Sequence, residues 1–131
     1  MKKMMLLCAV AGLLAGCRSV EIRPETICGT YRQSCVDIGR SSQEAALEGL
    51  YFIFLPDGTY RTEIRKKHRT EVYPGKWRIV GAKIEMEDEK NGHAVRWQFD
   101  PGSGSLTHTA YDKTFFPRGL KLILKKENGN P

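Results

Sequence analysis

From residue 50 to residue 125 the chain repeats one pattern. Short runs of aromatic, aliphatic and β-branched residues alternate with charged ones, and most runs end in a turn signal. Residues opposed in a hairpin have numbers that add to a constant, and a slip of one position moves every side chain to the other face. Each turn therefore predicts which residues share a face. Gly81-Ala82, read as a two-residue turn with glycine first, sets Ile79 against Ile84 and Trp77 against Met86 on one face. On the other face it sets Arg78 against Glu85 and Lys76 against Glu87. Asn91-Gly92, read as a two-residue turn, sets Ile84 against Phe99, Met86 against Trp97 and Glu87 against Arg96. The face made apolar by the first turn stays apolar through the second.

Two more turns extend the series. A four-residue loop at Pro101-Gly102-Ser103-Gly104 opposes Phe99 to Leu106, Trp97 to His108 and Val95 to Ala110. Pro56-Asp57-Gly58, a type I turn closed by a glycine bulge, opposes Phe54 to Tyr60, Phe52 to Thr62 and Leu50 to Ile64. Leu120, Leu122 and Leu124 alternate in a last strand. The strands fall near 28–33, 49–55, 59–66, 73–80, 83–89, 93–99, 105–111 and 119–125. This predicts an all-β domain, a small eight-stranded up-and-down antiparallel barrel, with a sandwich of two four-stranded sheets as the other arrangement. A short helix is expected between the first two strands, over Ser41–Leu50, from the capping-box spacing of Ser41 and Glu44 and from Gly49 near its end. It would cover Tyr51, Ile53 and Leu55.

The chain's 131 residues suit one domain. Residues 1–16 read as a signal peptide: Lys2 and Lys3 precede an uncharged run, Met4 to Gly16, too short to span a bilayer. Leu14-Ala15-Gly16-Cys17 resembles the bacterial lipobox, which implies cleavage before Cys17 and acylation of that cysteine. Arg18 stands where an inner-membrane retention aspartate would be, which implies the periplasmic face of the outer membrane, or the outer face of the cell membrane in a Gram-positive organism. Residues 17–27 form the lipidated cysteine and tether, 28–126 the barrel and 127–131 a C-terminal tail. Cleavage leaves 115 residues, and losing Lys2 and Lys3 lowers the net charge from +6 to +4. That modest surplus selects no partner, and an exported chain has no nucleic acid to bind.

Cys8 leaves with the signal peptide and Cys17 takes the lipid. Cys28 and Cys35 remain, an even pair in an oxidising compartment, and are expected to form a disulfide. A metal or redox use would call for CxxC, whereas the spacing here is C-x6-C.

Cys28-Gly29-Thr30-Tyr31, Pro56-Asp57-Gly58-Thr59-Tyr60 and Gly75-Lys76-Trp77 followed by Ile84 resemble small bacterial lipocalin-like lipoproteins. The order of motifs is similar to the N-terminal barrel of the copper-homeostasis and envelope-stress lipoproteins over residues 28–90. The CxxC of that group is absent, so copper and stress signalling are not implied. The resemblance implies a barrel that binds small apolar molecules or other proteins.

Trp77, Trp97, Phe99 and His108 are candidate ligand-binding residues, and Phe52 and Phe54 join them if the interior is hollow rather than filled. His108 beside Trp97, and His93 opposite Asp112, make an imidazole–carboxylate corner with fewer ligands than a metal site needs. No metal or cofactor is expected. Arg65, Lys66, Lys67 and Arg69, with His68, form a basic cluster that could meet an anionic envelope component or simply keep a hairpin tip solvated. No HExxH, GxSxG, P-loop or Rossmann glycine pattern is present, which points away from an enzyme. The expected partners are a membrane, through the acyl chains, and a small apolar ligand or an envelope protein. A hydrolase-inhibitor module acting through the basic loop is the alternative.

Overall fold

The computed structural model describes residues 22–39 and 43–127. One four-residue helix, α1 (Pro24–Ile27), leads into eight antiparallel strands. These are β1 (Gly29–Asp37), β2 (Ala45–Phe54), β3 (Thr59–Arg65), β4 (Thr70–Val80), β5 (Lys83–Asp88), β6 (Ala94–Asp100), β7 (Ser105–Asp112) and β8 (Phe116–Lys126). Each strand pairs with its neighbours in sequence, and β8 returns to β1, so the sheet closes into an up-and-down barrel. Closure leaves no edge strand to template aggregation.

The hairpin arithmetic holds for most turns. Ile79 faces Ile84, Trp77 faces Met86 and Arg78 faces Glu85 across β4–β5. Phe54 faces Tyr60, Phe52 faces Thr62 and Leu50 faces Ile64 across β2–β3, and Phe99 faces Leu106 across β6–β7. The β6–β7 ladder ends at Gln98 and Thr107, so Trp97 and His108 meet through their rings and not as ladder partners.

The β5–β6 hairpin departs by two positions: Ile84 pairs with Trp97, Met86 with Val95 and Glu85 with Arg96. Asn91-Gly92 is not an isolated two-residue turn. The Asp88 amide donates to the His93 carbonyl at 2.9 Å, and Gly92 donates back to Asp88 at 2.8 Å. Asp88 Oδ1 accepts from the Lys90 amide and Asn91 Oδ1 from the His93 amide. Side-chain oxygens thus support a four-residue loop that Gly92, at φ 71°, closes. An even slip preserves the face, so the apolar side still points inward. It hands Arg96 from Glu87 to Glu85, which accepts from Arg78 at 2.8 Å and from Arg96 at 2.9 Å.

The helix expected over Ser41–Leu50 is not there: β2 begins at Ala45. Positions 41 and 42 lie outside the described residues. Pairing of Ala45 and Ala46 with Cys35 and Ser34 of β1, and of Leu50 with Ile64 of β3, takes the place of the helix, and a large bulge absorbs the mismatch. Arg32 pairs with Tyr51 but Ser34 pairs with Ala46, so residues 47–50 stand opposite Gln33 alone. Gly49 makes this possible at φ 78°, where a Cβ would stand 2.6 Å from the Arg65 carbonyl oxygen. Tyr51, expected under a helix, is covered instead by the Arg65 guanidinium, 3.9 Å from its ring centre, and by Arg32 at 5.5 Å.

The core gathers at one pole. Ile27, Tyr31, Phe54, Trp77, Ile84, Phe99, Leu106 and Leu124 are buried there. Phe54 meets Trp77 edge-on at 5.7 Å and Tyr31 edge-on at 5.2 Å. Ile27 of α1 seals the pole, and the Tyr31 hydroxyl donates to its carbonyl at 2.6 Å. Burial pushes the Tyr31 phenol pKa well up, so this donor stays protonated.

Cys28 and Cys35 are free thiols, a correction to the expected disulfide. They lie before and within one extended strand. At ~3.3 Å per residue their Cα atoms are on the order of 20 Å apart, against the ~7 Å limit for a bridge. Cysteine number and compartment carry no information on where a single strand puts the two thiols.

Candidate functional site

At the pole opposite α1 the barrel is open. The turns 66–69 and 89–93 lie at this end, and inside it is a cavity of about 380 Å³. Strand alternation explains its lining. The inward positions one step above the packed pole are Gln33, Phe52, Thr62, Met86, Trp97 and Leu122, and they form the cup's floor and lower wall. Tyr73, Asp88, Asn91, His93 and Val95 form its mouth, and Tyr60 sits between the two levels. The barrel is therefore half filled: aromatic packing below, an open cup above.

Trp97 belongs to the cup. It is 5% exposed, tilts against Phe52 at 6.5 Å and against His108 at 5.7 Å, and its Nε1–H has no hydrogen-bond partner. It is the single such buried side-chain atom among the described residues. A buried donor left unpaired costs on the order of 1–3 kcal/mol. Phe99 and Trp77 belong to the packed pole instead, where Trp77 Nε1 donates to the Leu55 carbonyl at 2.9 Å. His108 stands behind Trp97 and outside the cup's lining, whereas His93 is exposed at the mouth.

One lateral row of the wall is polar. Tyr60 pairs with Gly75 and Gly75 with Asp88, so the three share a face across β3, β4 and β5. The Tyr60 ring lies where a Cβ on Gly75 would be, with its hydroxyl end over the glycine and toward Asp88. Burial, then the charges of Asp88 and Glu87, push the Tyr60 phenol up to about 12. Sequence reading did not single out this row, because it needs the β3–β4 register and no turn signal marks residues 66–69.

The basic hairpin is largely answered within its own strands. Arg65 Nε donates to Glu63 at 3.0 Å, Lys66 pairs with Glu71, and Arg69 lies 3.4 Å from Glu71. Lys67 has no acidic partner among the described residues. Cys17 lies outside the described residues.

No protein-family model matches the sequence, and no curated protein resembles it in sequence. Two solved structures share the fold. An uncharacterized protein from Bacteroides eggerthii aligns at 8% identity and a TM-score of 0.56, over 76% of this chain and 98% of its own. A lipocalin-like protein from Bacteroides uniformis aligns at 17% identity and a TM-score of 0.53, over 78% of this chain and 99% of its own. The fold is thus a lipocalin-like barrel.

Proposed function

We propose that the chain is a non-catalytic binding protein of the bacterial envelope, anchored through an acylated Cys17, that takes a small and largely apolar molecule into its open cup. The observation that carries the reading is the half-filled interior: Phe52, Met86, Trp97 and Leu122 stop short of filling the barrel, and an unpaired indole N–H is buried among them. A cavity with apolar walls and a few convergent polar groups is the usual form of a small-molecule site. The lipobox-like Leu14–Cys17 supports the anchor, and Arg18 supports the periplasmic face of the outer membrane. The hairpin 65–69 is the weaker candidate surface, because Glu63 and Glu71 already take up most of its charge.

Two measurements test this. Mass spectrometry of the protein purified from its native envelope should find a small molecule released on denaturation. Extracting that ligand should change the fluorescence of a Trp77→Phe variant, in which Trp97 is the remaining indole. A ligand-free protein whose Trp97 emission ignores added lipid extract would refute the cup. For the anchor, Cys17→Ser should move the protein from the detergent phase to the soluble fraction, and an unchanged distribution would refute acylation.

A further inference from the structure

The polar groups of the cup are not neutral about what they admit. In a chain of net charge +6, no lysine or arginine lines the cup among the described residues, and Asp88 is its one carboxylate. Asp88 Oδ1 is taken by the Lys90 amide at 2.7 Å, while its other oxygen accepts no hydrogen bond among the described residues. The Tyr60 hydroxyl lies over Gly75, one strand away from Asp88, and the two are not hydrogen-bonded to each other. The missing Gly75 side chain lets the Tyr60 ring lie across β4, so that its hydroxyl end and the Asp88 carboxylate belong to one polar row of the wall. Tyr73, two residues before Gly75 on the same face of β4, puts a third ring at the mouth, above Phe52 and Trp97.

We propose that the cup binds a compact amphiphile with a cationic or amine head, Asp88 serving as counter-ion and the Tyr60 hydroxyl with the Tyr73 ring completing the head-group site. This rests on the cup being a ligand site, as argued above. An ammonium beside Asp88 on the cup wall finds a carboxylate, a hydroxyl acceptor and aromatic faces, the combination that attracts cations out of water. A carboxylate or phosphate head would meet Asp88 at short range with no lysine or arginine in the lining to offset it, and partial desolvation strengthens that repulsion. Lys90, the nearest basic residue in sequence, is exposed on the turn and outside the lining. The chain's overall positive charge pulls the other way, but salt at physiological strength screens it within about 8 Å.

The test uses the full chain carrying Cys17→Ser, so that acyl chains do not occupy the cup. Three eight-carbon probes, n-octylammonium, n-octanol and n-octanoate, are titrated by calorimetry at neutral pH and below their micelle concentrations. The expected result is that octylammonium binds at least about tenfold tighter than octanoate. Asp88→Asn keeps the acceptor for the Lys90 amide and should erase that ratio while leaving octanol within about twofold. Tyr60→Phe should weaken octylammonium and spare octanol. Octanoate binding as well as octylammonium, or a ratio that survives Asp88→Asn, overturns the proposal while leaving the cup as a ligand site. Failure of all three probes overturns the cup reading itself, and the head-group assignment with it.

Discussion

Single residues decide how the interior divides. Gly75 is the clearest case, since a Cβ there would occupy the space of the Tyr60 ring. Gly75→Ala should cost ~1–3 kcal/mol, the usual range for overpacking, visible as a lower urea midpoint with an unchanged slope. A Tyr60→Ala background should remove most of that penalty, because the obstructing ring is gone. Trp77 and Trp97 look equivalent in the sequence, two indoles on one inward face. They differ in one hydrogen bond: Trp77 Nε1 reaches Leu55 O, whereas Trp97 Nε1 reaches nothing. Trp77→Phe should therefore destabilise by ~1–3 kcal/mol through the lost hydrogen bond and lost packing, although the Leu55 carbonyl keeps its bond from the Gly58 amide. That difference was invisible beforehand, because it depends on how far each ring sits from a free backbone group.

Among the elements, the hairpins show what turn chemistry can and cannot fix. The Gly81-Ala82 turn was legible to the residue because nothing near it competes for backbone donors. The Asn91-Gly92 turn misled by two positions because Asp88 and Asn91 supply side-chain acceptors that support a longer loop. Ser41–Leu50 read as a helix from its capping-box spacing and Gly49, a local signal that the pairing of Ala45 and Ala46 with β1 and of Leu50 with β3 overrides. The inward face survived these errors, since the slip was even. The polar row of Tyr60, Gly75 and Asp88 did not emerge, since it crosses three strands. The 66–69 hairpin also makes a prediction about acid. Pairing with Lys66, then the Tyr73 hydroxyl, lowers Glu71 from 4.5 to about 2. The folded value is depressed, so this stabilisation is present above the unfolded pKa and is lost as pH falls from about 4.5 toward 2. The stability gap between wild type and Glu71→Gln should close over that window in acid denaturation. The gap should also shrink with added salt, since the group is exposed.

At the scale of the molecule, the barrel rests on one packed pole and needs no covalent staple. Ile27 is fully buried in a helix of four residues, so Ile27→Ala should cost ~2–5 kcal/mol by opening a cavity in the seal. Reducing agent should leave the melting temperature unchanged, because both thiols are already free; a drop of several degrees would mean that the cysteines are linked. The chain runs into the barrel at the sealed pole, while its opening lies at the far one. Anything fastened directly ahead of Ile22, whether a sensor chip, a fluorescent fusion or a bead, is therefore held on the side away from the entrance. Such attachments should leave exchange rates untouched, whereas bulk added at residues 66–69 or 89–93 should slow entry and release alike.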